Sequence, residues 1–442
     1  MFDVMKYGAR GDGSGNDSAA IQKAIDACSK AGGGRVVIPS GKVCRCGPFK
    51  LASHIDLHIE TGARLEAIPD IKLYPEFGLT SLGGEGQKWI HAENEEFISI
   101  TGGGIIDGKG VAWMKSEEKY GFRMDAGRPF IIDLENCRHV TIRDITFRDA
   151  PFWTLHFLGC FDLLMQGSRI INNLKIGNSD GINIDRCKNV RVVGCHIEAG
   201  DDCVCVKSIE PGHEEKYGAC ENITVTGCTL ISTSAAVRLG GESFGLMRNI
   251  IISNCTISRS NRGLGIMMRD GGVISDVLFS NITVETRFFE PKTWWGSAEP
   301  IHITSFSMKK GAPAGIVRNI RFHNINCNSE NGVYIAASKP EDIQNVIMEG
   351  VRIELNKTSK HKGGYFDRRL CCEEGIVEVP TSGFVISKAM DIRLRNCEVA
   401  WGKNRPEYFR HAVYAGHAPG LEITNLRGES AFPGKYEVVK KA

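Results

Sequence analysis

Short stretches in which apolar and polar residues alternate, most opening on Asn or Asp, recur along most of the chain. They read His139-Val140-Thr141-Ile142, Asp162-Leu163-Leu164-Met165, Asn189-Val190-Arg191-Val192, Asn222-Ile223-Thr224-Val225, Asn249-Ile250-Ile251-Ile252, Asp276-Val277-Leu278-Phe279, Asn319-Ile320-Arg321-Phe322, Asn345-Val346-Ile347-Met348 and Asp391-Ile392-Arg393-Leu394. Alternation with a period of two marks a strand that buries one face. The first apolar positions are 140, 163, 190, 223, 250, 277, 320, 346 and 392, so most steps are 23–33 residues and two are near double. A second strand signal follows a few residues later, as in Gly194-Cys195-His196-Ile197, Gly227-Cys228-Thr229-Leu230, Asn254-Cys255-Thr256-Ile257, Asn281-Ile282-Thr283-Val284 and Asn396-Cys397-Glu398-Val399. Each unit thus predicts a strand, a tight turn, a strand and a looser segment with another strand. Asn and Gly at the turns tolerate left-handed backbone. A repeat of about 25 residues built from short strands predicts an all-β chain, a single-stranded parallel β-helix. The Leu consensus of a leucine-rich repeat is missing, and propeller blades run longer, at about 40–45 residues.

Two segments depart from the rhythm. Ala20, Ile21, Ala24, Ile25 and Cys28 have helical spacing and end at Gly32-Gly33-Gly34, so residues 17–31 are expected to form a short helix capping the open N-terminal end of the solenoid. Residues 356–382 are polar and read as an inserted loop. With no linker in sight, residues 1–442 are expected to form one domain.

Composition changes the picture in two ways. The charge is nearly balanced, 54 Lys+Arg against 52 Asp+Glu, so no nucleic-acid partner is expected. No apolar run is long enough for a membrane span, and a monomer is expected. The sixteen cysteines are dispersed, mostly as Gly-Cys or Asn-Cys before an apolar triplet, and read as small buried residues in a repeated setting. No CxxC pair suggests a metal. Residues 1–6 do not resemble a signal peptide. Together with the dispersed thiols this points to the cytoplasm; the alternative is a secreted or periplasmic protein whose leader has been removed.

The candidate chemistry lies in carboxylates. Asp180, in Asn178-Ser179-Asp180-Gly181, and Asp201-Asp202, in Gly200-Asp201-Asp202-Cys203, are about one turn apart, and successive turns stack at about 4.8 Å. A proton-donating carboxyl beside an ionised one is what glycosidic cleavage requires. Clustered Asp also suits calcium, so a Ca-dependent polysaccharide lyase is a second reading. A non-catalytic glycan-binding β-helix is a third.

The order of motifs resembles glycoside hydrolase family 28, the polygalacturonase family, over most of the chain. Tyr7-Gly8-Ala9-Arg10-Gly11-Asp12-Gly13 is similar to the family's opening, and Gly104-Ile105-Ile106-Asp107-Gly108-Lys109-Gly110 with Trp113 to a second segment. Arg128-Pro129 through Cys137, followed by Ala150-Pro151-Phe152-Trp153-Thr154-Leu155-His156, is similar to a third. Asn178-Ser179-Asp180 stands where the family has Asn-Thr-Asp, and Asp201-Asp202 at its Asp pair. The resemblance implies a right-handed parallel β-helix and inverting hydrolysis of a pectin-type substrate containing uronic acid or rhamnose, without cofactor or metal. In that scheme Asp201 protonates the leaving oxygen, Asp180 and Asp202 activate water, and Asn178 orients Asp180. Two family motifs are altered. Ala235 occupies the histidine of Gly-His-Gly, and Gly265-Ile266-Met267 lacks both cations of Arg-Ile-Lys. Lys207, Arg238 and Arg269 are the candidate replacements for gripping a carboxylate. The change in this region points to exo action on chain ends or oligomers. Trp294 and Trp295 are candidate sugar platforms, and His156 a candidate for the cleft floor.

Overall fold

The computed structural model describes residues 1–74, 87–124, 127–209, 213–290 and 293–442. Its fold is a right-handed parallel β-helix. The chain forms two compact units, one of residues 1–201 with 215–217 and one of residues 202–214 with 218–442.

In the first unit the repeat positions stack as their spacing predicts. Val140 pairs with Leu163 and Leu163 with Val190, each buried and each one coil above the last. In the second unit Ile223, Ile250, Val277, Ile320, Val346 and Ile392 likewise pair in register, coil on coil. The residue opening each signature is left-handed in every case, from Asn345 at φ 52° to Asn222 at φ 62°. Asn is favoured there because its short polar side chain tolerates that region and can bond locally. Neighbouring coils link through it: the Asn249 amide donates to Asn222 Oδ1 at 3.2 Å and the Asn345 amide to Asn319 Oδ1 at 2.9 Å.

The expected strand–turn–strand is simplified in the second unit. Val273–Thr286, Ile316–Ser329 and Ile343–Leu355 each run as one continuous strand. Their turns are reduced to single left-handed residues, Asn281, Asn324 and Gly350, that bend the strand without breaking the ladder. The thiols occupy the repeated setting expected of them. Cys160 Sγ donates to the Leu134 carbonyl at 3.3 Å and Cys187 Sγ to the Phe157 carbonyl at 3.2 Å, each reaching back one coil. None of the sixteen cysteines is in a disulfide.

The N-terminal helix spans Ser18–Lys30 and buries the five expected residues, Ala20, Ile21, Ala24, Ile25 and Cys28. Asp17 precedes it but turns away, accepting the Arg10 and Gly11 amides at 2.8 and 3.3 Å. The inserted segment is more ordered than its polarity suggests: Tyr365–Asp367 and Ile376–Glu378 pair antiparallel as a hairpin.

Each unit has a second ladder, and the candidate residues lie on or beside it. In the first unit Lys88–Glu93, Phe130–Glu135, Leu155–Leu158 and Ile182–Asp185 pair in parallel. In the second, Val204–Ser208, Ala235–Ser243, Arg262–Met268, Ile301–Ser305, Val333–Ala337, Phe384–Ser387 and Val413–Gly416 do so. Side chains such as Leu155, Ile182, Val237, Leu264 and Ile303 fill the core, while the alternate positions form an outer row.

Candidate active site

In the first unit, Asp180 is buried and its carbonyl accepts both the Thr154 amide, at 2.9 Å, and the Thr154 hydroxyl, at 2.7 Å. Asp201 follows Gly200, where a Cβ would lie 2.2 Å from the Ile176 carbonyl oxygen, so only glycine fits. Asp201 Oδ2 accepts the backbone and side-chain N–H of Asn178 at 3.3 and 3.4 Å. Asn178 is in turn held by Arg128, whose Nη2 donates to its Oδ1 at 3.2 Å and whose Nη1 donates to the Pro151 and Gly177 carbonyls. The contact seen for Asn178 is thus with Asp201, where the resemblance had it orienting Asp180.

His156 is fully buried. Its Nδ1 meets Asp133 Oδ1 at 2.7 Å and its Nε2 lies 3.7 Å from Asp185 Oδ2. Burial alone would lower its pKa, but the two carboxylates outweigh that and raise it. Asp133 also holds Lys88 Nζ at 2.5 Å. Sequence reasoning missed this stacked charge chain because its members lie 45 and 23 residues apart and share no motif.

In the second unit, Asp202 is fully buried. Its Oδ1 accepts the Ala235 amide at 3.1 Å, and its Oδ2 lies 2.8 Å from Arg238 Nε. The three candidate cations come together, around a residue the sequence did not single out. Lys207 Nζ lies 3.3 Å, Arg238 Nη2 3.6 Å and Arg269 Nη2 3.7 Å from the carboxylate of Glu242. Burial would push the Glu242 carboxyl up, but the cations bring it down to about 2. A bulge sets this up. Leu239 pairs with Val206 but Ser243 with Ser208, so the strand carries extra residues at Gly240-Gly241, both left-handed at φ 88° and 87°. A Cβ on Gly241 would sit 3.0 Å from the Arg238 guanidinium carbon. The glycine pair was the available signal for Glu242.

Gly265 and Met267 do leave the outer row without its usual cations, and Arg262 lies across the gap. Its Nη1 is 3.5 Å from Met267 Sδ, and a Cβ on Gly265 would meet its Cδ at 3.4 Å. Arg262 is committed to protein partners: Glu299 at 3.3 Å and the Asp367 carbonyl at 2.9 Å. Burial raises the Glu299 carboxyl, yet Arg262, His302 and Ser297 bring it down to about 2. His302 donates from Nε2 to the Asp367 carbonyl at 3.0 Å; burial and Arg262 push its pKa down to about 3.

Asp367 belongs to the inserted hairpin, which lies over the outer row. Phe366 is fully buried and stacks on Tyr334 at 4.3 Å, within a cluster of Phe306, Ala336 and Val385. The Arg368 guanidinium covers Phe306 at 4.5 Å. Of the tryptophan pair, Trp294 is buried and Trp295 is 37 % exposed. Among the described residues, no group of three or more His, Cys, Asp or Glu side chains is placed to hold a metal ion, and no helix is long and apolar enough to cross a membrane.

Fold and carboxylate motifs together define a parallel β-helical protein with an aspartate-bearing ladder. The chain matches Glycosyl hydrolases family 28 over residues 28–372, and it belongs to that family. It is 32 % identical over 253 residues to a probable polygalacturonase of Vitis vinifera, an alignment covering 54 % of this chain and 51 % of the relative. The chain thus spans about half the length of that curated relative. Among solved structures, an exopolygalacturonase from Thermotoga maritima superposes with a TM-score of 0.68 at 23 % identity, covering 80 % of this chain and 86 % of that one. A family 28 exopolygalacturonase from Yersinia enterocolitica gives 0.73 at 17 % identity, covering 97 % and 78 %. At those identities the two structures speak to the fold.

Proposed function

We propose that the protein is an inverting, exo-acting glycoside hydrolase that cleaves a pectin-type poly- or oligosaccharide containing uronic acid or rhamnose. Asp201 is the general acid, and Asp180 and Asp202 activate the attacking water. The observation that carries this reading is that all three family carboxylates are present and that two are individually held, Asp201 by Asn178 and Asp202 by the Ala235 amide and Arg238. In the reaction a proton passes from Asp201 to the glycosidic oxygen as water attacks the opposite face of the sugar and gives up its own proton to a carboxylate.

Exo action is supported by the hairpin: with Phe366 seated on Tyr334, the outer row beyond His302 is covered, and a chain threading along it meets a wall. The names of the relatives, polygalacturonase and exopolygalacturonase, agree with a pectic substrate. We further propose that the protein works as a monomer in the cytoplasm, where its sixteen thiols, none of them in a disulfide, stay reduced. The test is incubation with a panel of pectic oligosaccharides, products being weighed by mass spectrometry. Products heavier than the cut fragments by one water, released as a single short size, support the reading; unsaturated ends that vanish with a chelator would establish a lyase instead.

A further inference from the structure

Lys207, Arg238, Arg269, Asp202 and Glu242 form one charged cluster, and its members are not equally accessible. The Lys207 side chain is 1 % exposed, those of Arg238 and Arg269 9 %, that of Asp202 0 %, and that of Glu242 25 %. A ligand entering here meets the carboxylate first, with the cations behind it. The charges also cancel. Among the described residues of the cluster, the three cations lie with Asp202, Glu242 and the adjoining Asp270, whose Oδ2 accepts the Ser243 amide at 3.0 Å, three charges of each sign. Arg269, Asp270 and Lys309 border a cavity of about 400 Å³ whose wall also holds Ser307 and the apolar Phe244, Met308, Ala312 and Pro313. An apolar wall suits the C–H face of a sugar, and a carboxylate with paired cations behind it is a strong acceptor for a hydroxyl.

We infer that Glu242 is a specificity-determining residue: it accepts a hydroxyl from a neutral sugar at this subsite and turns away a uronate there. The inference rests on the glycosidase reading and narrows it to a substrate in which a neutral sugar adjoins the uronate. Discrimination of this kind works by placing a repulsive group against the wrong partner as much as by attracting the right one. The Gly240-Gly241 bulge is the device that brings Glu242 over the cations, because it lets Arg238 fold back under residue 242.

The experiment measures binding, so that it does not depend on turnover. Calorimetry on the Asp201→Asn chain compares two probes of equal length, an oligomer of α-linked galacturonate and one in which galacturonate alternates with rhamnose. The alternating oligomer is expected to bind at least about tenfold tighter. Adding Glu242→Gln is expected to shrink that ratio about fivefold or more, chiefly by tightening the all-uronate oligomer, while Glu242→Asp, which keeps the charge, preserves the preference. Equal or tighter binding of the all-uronate oligomer overturns the inference, as does a ratio unmoved by Glu242→Gln. Should Glu242→Gln fail to fold, Glu242→Ser in the same Asp201→Asn chain takes its place, with the same expected shrinkage and with an unmoved ratio counting against the inference. Failure of the glycosidase reading looks different: the unaltered chain releases no product from either oligomer.

Discussion

Asp201 and Asp202 are consecutive residues with different surroundings. Asp201 is only partly buried and accepts N–H groups of Asn178 at 3.3 and 3.4 Å, whereas Asp202 is sealed between a backbone amide and a guanidinium. Asp201→Asn keeps the shape and removes the proton; turnover is expected to fall about 10²- to 10⁴-fold while the circular dichroism spectrum stays unchanged. His302 carries a different prediction. Its folded value, about 3, is depressed from 6.5, so the unfolded chain takes up a proton that the folded chain refuses. That contribution is complete above about pH 6.5 and is lost as the pH falls toward about 3. The urea midpoint of the native chain should therefore drop between pH 7 and pH 4, and His302→Gln should flatten the drop; equal slopes in both chains would refute the assignment. The motif carboxylates were legible because the family spells them in short runs. Glu242, Arg262 and Glu299 were not, because they meet their partners across coils that sequence distance does not reveal.

At the scale of elements, the strand repeat was the clearest signal in the sequence. Each coil repeats one environment, so local pattern and tertiary position coincide, and Val140 through Ile392 fall on their ladders without a slip within either unit. The inserted hairpin was illegible for the opposite reason: its polar composition hides the anchoring aromatic, Phe366, whose partner Tyr334 lies 32 residues back on the preceding coil. Phe366→Ala removes that anchor. A buried Phe truncated to Ala costs about 3–5 kcal/mol, enough to loosen so short a hairpin. The expected result is a product pattern that broadens from one short size to a mixture, read by mass spectrometry on a long pectic substrate. An unchanged pattern would show that the hairpin does not set the mode of cutting.

For the whole molecule, the two compact units meet in sequence at Asp201-Asp202 with no linker between them. Repeats that stack only on neighbours exchange stability through each interface. A single solenoid, as the repeat predicts, should unfold in one calorimetric transition, whereas two well-separated transitions would divide it into independent domains.

The thiols give the molecule a built-in clock and a built-in handle. Fourteen cysteines are buried, and only Cys371 and Cys372 are even partly open to solvent. Alkylation by a soluble reagent should thus be biphasic: two sites modified promptly, and the others only as fast as the coils open. The prompt pair lies in the same inserted segment as the hairpin over the outer row. A fluorophore attached at Cys372 would sit close to the covered end of the groove and could report, without any engineered residue, the arrival of a sugar chain there.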